Sequence, residues 1–170
     1  MTSIWDLINI GSFSSLWFWV FLGVFWARVM QAPLGVSVDV VRRAHAGEPQ
    51  AQADIEALSG MRIRHEQGLV QGTTLVWRLA GWSFVLTLLA GLAALYRVEI
   101  AQAVLIIAAP FALVRALEMR AALHMADVPD MAALIRAHWV LRRQIQTLGI
   151  TAVFAATLFG MLRLLSDYTL

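Results

Sequence analysis

The sequence contains no cysteine and no lysine. The first absence excludes disulfides, thiolate metal sites, thiol nucleophiles and cysteine-ligated iron–sulfur clusters on this chain. The second makes all 13 basic residues arginine. Charge of either sign is scarce, with 14% of the 170 residues charged against 60% apolar, too little to cover the surface of a soluble domain of this size. The net charge is only +2 and no basic run exceeds two residues, so nucleic acid is not an expected partner. Also missing are a phosphate-cradling glycine loop, a Gly-x-Ser-x-Gly turn and a charged pair in the middle of an apolar stretch. Autonomous catalysis or ion-coupled transport is therefore not expected. No cleavable signal is expected either, because Asp6 stands where a positive n-region is needed.

Long apolar runs dominate what is there. Leu79 to Tyr96 holds eighteen uncharged residues between Arg78 and Arg97. A helix of that length rises about 27 Å, close to the hydrocarbon thickness of a bilayer. Four such spans are expected: 13–32, 75–96, 99–115 and 144–164. The predicted class is an all-α, polytopic integral membrane protein forming a single membrane domain over 1–170, with four transmembrane helices and two cytoplasmic amphipathic helical segments, 36–71 and 116–143. Ser3 and Asp6 have capping-box spacing and begin a short interfacial helix over 3–10.

Within the polar segments, Pro49 opens a helix running toward Gly68, with Ile55, Leu58 and Met61 at helical spacing. Asp127-Val-Pro-Asp130 starts another, which places Met131, Leu134, Ile135 and His138 on one face and runs past Arg142 and Arg143 into the last span. Pro110 removes a backbone hydrogen bond inside the third span and should bend it.

Eleven of the thirteen arginines lie in or beside the two long polar segments, leaving Arg97 and Arg163 on the other side. The positive-inside rule then puts both segments in the cytoplasm and both termini in the periplasm of a bacterial inner membrane, crossed several times.

Candidate site residues follow from position. Arg28 and Arg78, with Trp17, Trp19 and Trp26, suit the interface and anionic lipid headgroups. Seven of the fifteen residues from Phe13 to Ala27 are aromatic, a face that suits lipid and helix contacts or a pigment or quinone platform. Glu99, Gln102 and Arg163 form a candidate polar cluster at the outer edge, read either as a proton or ligand site or as a stabilised helix start with Glu99 paired to Arg163. Ser83, Thr87 and Gly91, and again Ala152, Ala156 and Gly160, recur every four residues and make small faces for close helix approach. His45, His65, His124 and His138 all fall in polar segments, which excludes an intramembrane bis-histidine haem. With Asp39, Glu66 or Asp127 they lack the spacing of a helical metal pair and are expected to be solvated or capping, so no metal and no cofactor is expected.

Four stretches, Ser12 to Trp26, Leu34 to Ala44, Val98 to Val104 and Ala133 to Met161, together resemble a family of small bacterial four-helix membrane proteins described as components of the SufBCD complex. The chain departs from that family at Ser37-Val38, where the family carries Pro-Tyr, and in a less basic segment before the last span. The resemblance implies a place beside cytosolic iron–sulfur cluster assembly and transfers no catalytic residue. A chain without cysteine would only tether or position such machinery. The expected function is thus a non-catalytic accessory or scaffolding subunit of a larger inner-membrane complex, either a respiratory or photosynthetic assembly or a membrane tether for iron–sulfur assembly proteins. Its expected partners are other membrane subunits and lipids. The alternative is the small four-span subunit of a binding-protein-dependent secondary transporter, and an enzyme acting on lipid through Glu99 ranks third.

Overall fold

The computed structural model of the protein describes residues 16–127 and 130–168. The expected interfacial helix over 3–10 and the first three residues of the 13–32 span lie outside them. Among the described residues there are six α-helices and no strand. They are α1 (Leu16–Gln31), α2 (Val38–His45), α3 (Pro49–Val70), α4 (Thr73–Ala94), α5 (Glu99–Met125) and α6 (Met131–Tyr168), with a 3-10 turn at Pro33–Gly35.

Three of these, α4, α5 and the Met131–Arg163 part of α6, are long and apolar enough to cross a membrane. α1 is also apolar, but its 16 described residues rise about 24 Å, less than the hydrocarbon core. The 38 residues of α6 rise about 57 Å, nearly twice that core. Its first third carries Arg136, Arg142 and Arg143 and packs on α2, and the uncharged apolar run of the helix begins only beyond Arg143.

The antiparallel pair α5–α6 is the centre of the molecule, with α1 laid on α6, α4 on α5, and the α2–α3 hairpin across one end. One core joins α1, α5 and α6 through Leu22, Trp26, Val114, Leu141, Ile145 and Ala156. A second, smaller core of Val41, Ala44, Ala51, Ile55 and Ile135 seats the hairpin on the first turns of α6. Pro110 lies inside α5, which stays one continuous helix from the expected 99–115 span into the expected helical polar segment, as far as Met125. Its polar end continues because Glu118, Ala122 and Met125 prolong the buried face that begins at Val114.

The Ser37 side chain accepts from Val40 N–H and caps α2, a helix start that the sequence reading did not include. Pro49, an expected start, occupies the first turn of α3. Asp130 accepts from Ala133 N–H at the start of α6. The four-residue link between α4 and α5 closes with Arg97 at φ 51.

Close approach of α1 and α6 depends on Gly149. A Cβ there would lie 2.9 Å from Met30 Sδ and 3.0 Å from Trp26 Cε3. Met30 can swing aside, but the Trp26 ring is locked in the core. Gly149→Ala is expected to cost about 1–3 kcal/mol by overpacking, seen as a lower thermal midpoint in detergent.

Candidate functional site, a buried charge junction

The face of α3 that looks inward carries Ala51, Ile55, Ser59 and Glu66. Two turns of apolar or small residues are thus followed, two turns further on, by a carboxylate with no exposed surface. Burying a lone carboxylate would cost many kcal/mol, so it must be paired. Arg78, in the second turn of α4, places Nη1 3.5 Å from Glu66 Oε2, and Arg115 of α5 places Nη2 3.3 Å from Oε1. Arg115 Nη1 also donates to Glu118 Oε2, one turn further along α5. Glu118 Oε1 then accepts the backbone N–H of Leu34 at 3.1 Å.

The result is two carboxylates and two guanidiniums, formally neutral, linking α3, α4, α5 and the 3-10 turn after α1. Both arginines are about a quarter exposed, at 28% and 26%, so the junction is open on one side and buried on the other. Leu34 sits at φ 55, a left-handed conformation costing about 1 kcal/mol or more for a non-glycine residue. Its burial to 3% exposure and its N–H bond to a carboxylate offset that strain. The arrangement can hold four chain segments in one register.

A second buried polar contact lies about two turns away along α3. Ser59 Oγ and His138 Nε2 are 2.8 Å apart, joining α3 to the first third of α6. His138 is therefore neither solvated nor capping, as expected from its segment, but 4% exposed, because it occupies the same face of α6 as Ile135 and Leu141. Burial pushes its imidazole down from 6.5 to about 4. The unfolded chain takes up this proton at a higher pH than the folded chain, so stability present above pH 6.5 is lost as pH falls toward 4. Between pH 7.5 and pH 5, wild type should lose about 2 kcal/mol more than His138→Gln, measured by thermal unfolding in detergent.

The expected site residues are distributed as follows. Trp17 is 79% exposed and Trp19 half-buried, but Trp26, expected at the interface, is 1% exposed inside the α1–α5–α6 core. Its ring faces α6 because Gly149 leaves room there. Arg28 is exposed, whereas Arg78, expected beside lipid, is held by Glu66. Glu99 and Gln102 stand one turn apart at the start of α5, at the same end of the α5–α6 pair as Arg163, and Gln102 Nε2 donates to Ala93 O at 3.0 Å across the hairpin. The two small-residue faces differ: Ala152, Ala156 and Gly160 are buried inside the chain, whereas Ser83 and Thr87 are exposed and Gly91 half-buried. Among the described residues no three His, Asp or Glu side chains are grouped to hold a metal.

The junction itself was not singled out from sequence. A signal for it exists, since Ser59 and Glu66 on α3, Glu118 on α5 and His138 on α6 each occupy a position in an apolar helical stripe. Comparison with protein-family models, with curated proteins and with solved structures returns no match. The class that fold and site define is an all-helical protein with three helices able to cross a membrane.

Proposed function

We propose that the chain is a non-catalytic accessory or scaffolding subunit of a larger bacterial inner-membrane complex. In this reading it has four spans, two cytoplasmic polar segments and periplasmic termini. The observation that carries the reading is α4: none of its most apolar window is buried within the chain, and Ser83 and Thr87 point outward. In a bilayer, small and hydroxyl side chains at four-residue spacing favour close packing with another helix over packing with lipid. The comparable stripe on α6 is already covered by the chain itself, which is how such a stripe looks when satisfied.

The α2–α3 hairpin supplies the second half of the proposal. Its outer surface carries Asp39, Arg42, Arg43 and Glu48 in mutual ion pairs, a polar face suited to soluble machinery. The resemblance to SufBCD-component proteins favours iron–sulfur assembly proteins there, with this chain as their tether.

Purification in mild detergent tests the proposal. Stoichiometric partner subunits should accompany the protein, with a quinone or pigment if the partner is respiratory or photosynthetic, and with soluble ATPase and scaffold proteins if it is cluster-assembly machinery. A monodisperse lone monomer would contradict it. Reporter fusions at Met1 and Leu170 separate it from the carrier-subunit alternative, which requires cytoplasmic ends.

A further inference from the structure

A cleft of about 620 Å³ opens between the last third of α5 and the first third of α6. Its volume falls within the roughly 300–1,000 Å³ typical of small-molecule sites. Ala137 and Leu141 form part of an apolar floor, and Arg120, Arg136, His124 and Gln144 supply all the polar side chains that line it. Among the described residues no carboxylate lines the cleft. Arg42, Arg43, Arg78 and Arg115 each have an acidic partner within ion-pair distance. Arg120 and Arg136 have none among the described residues, and both are exposed. Two guanidiniums thus face one apolar cleft without a counter-charge from any described residue.

The position of the cleft narrows the ligand. Gln144 marks the point where α6 passes from its arginine-bearing first third into the apolar stretch that can enter the bilayer. Leu117, on the α5 side, stands just beyond the apolar part of that helix. The cleft therefore begins where the two apolar stretches end and extends from there about 12 Å along α6 to Arg136, with Leu141 and Ala137 lying between Gln144 and that arginine. A ligand that fits must carry a negative head for two arginines and an apolar body for the floor. Guanidiniums match phosphate oxygens in pairs, and basic pockets between membrane helices at the headgroup level take anionic lipids.

We infer that the α5–α6 cleft binds an anionic phospholipid, its phosphate held between Arg120 and Arg136 and the start of its acyl chains lying over Ala137 and Leu141. The inference rests on the membrane-embedded part of the proposed function and is independent of any partner subunit.

The test uses the full-length protein in detergent, with lipid adducts counted by native mass spectrometry on adding phosphatidylglycerol, phosphatidylcholine or inorganic phosphate. Wild type and Arg143→Gln, an exposed arginine outside the cleft, should bind phosphatidylglycerol equally and phosphatidylcholine at least tenfold more weakly. Arg120→Gln with Arg136→Gln should weaken phosphatidylglycerol roughly thirtyfold, two surface guanidinium contacts combined. Ala137→Trp, which fills the floor and keeps both arginines, should abolish the adduct. Three results would overturn the inference: double-variant binding within threefold of wild type, equal binding of the two lipids, or displacement of the lipid by millimolar inorganic phosphate. A protein cross-linked in native membranes through a photoreactive group at Ala137 would overturn it as well. Lipid selectivity retained in a preparation free of other proteins would support it even if the subunit proposal fails.

Discussion

Glu66→Gln is expected to lower stability by about 3–5 kcal/mol, because it leaves Arg78 and Arg115 facing one another across a buried site with only Glu118 to neutralise them. The loss comes from the stranded charge more than from the missing hydrogen bonds. Adding Arg78→Gln to Glu66→Gln should therefore recover a large part of it, since the remaining Arg115–Glu118 pair is neutral. Thermal unfolding of both variants in the same detergent checks this. If the double variant is less stable than Glu66→Gln, the contacts act separately and charge balance is not what holds the junction.

Trp26→Ala is the second large effect. Trp26 is among the largest fully buried side chains and fills the gap between α1 and α6 opposite Gly149. In a water-soluble core its truncation would cost about 3–5 kcal/mol. If α1 is one of the four spans of the proposed arrangement, the separated helix would meet hydrocarbon rather than water and mainly the packing part would be lost, so about 3 kcal/mol is expected. Trp26→Phe should cost much less, because Trp26 Nε1 is buried with no acceptor among the described residues and the phenyl ring removes that unpaired donor. Thermal midpoints should therefore rank wild type close to Trp26→Phe and well above Trp26→Ala. A Phe variant as weak as the Ala variant would mean that the indole nitrogen has a partner.

The helices were legible where their cause is local. Pro49 begins α3, the eighteen uncharged residues from Leu79 lie in and just beyond α4, and the short link at Arg97 makes the hairpin with α5. The run of α6 through Arg142 and Arg143 was also legible, because nothing there breaks a helix. The junction was not, since Glu66 and Arg115 are 49 residues apart and pattern alone does not say which arginine answers which carboxylate. The same reason put Arg78 beside lipid and left His138 among solvated histidines. Trp26 was misplaced because an aromatic near a helix end looks the same whether it faces headgroups or a glycine on a neighbouring helix. In each case the polar or aromatic residue lies on an apolar stripe, and only the neighbouring element decides whether that stripe is a core.

The absence of cysteine allows the central claim to be tested directly, since any cysteine introduced is the only thiol on the chain. Single variants Glu56→Cys in α3 and Tyr96→Cys at the α4–α5 link, both exposed positions, are labelled with a membrane-impermeant maleimide in spheroplasts before and after permeabilisation. The account predicts Tyr96→Cys labelled in intact spheroplasts and Glu56→Cys labelled only once the membrane is opened. Labelling of Glu56→Cys from outside, or equal labelling of both in a protein recovered from the soluble fraction, would contradict it.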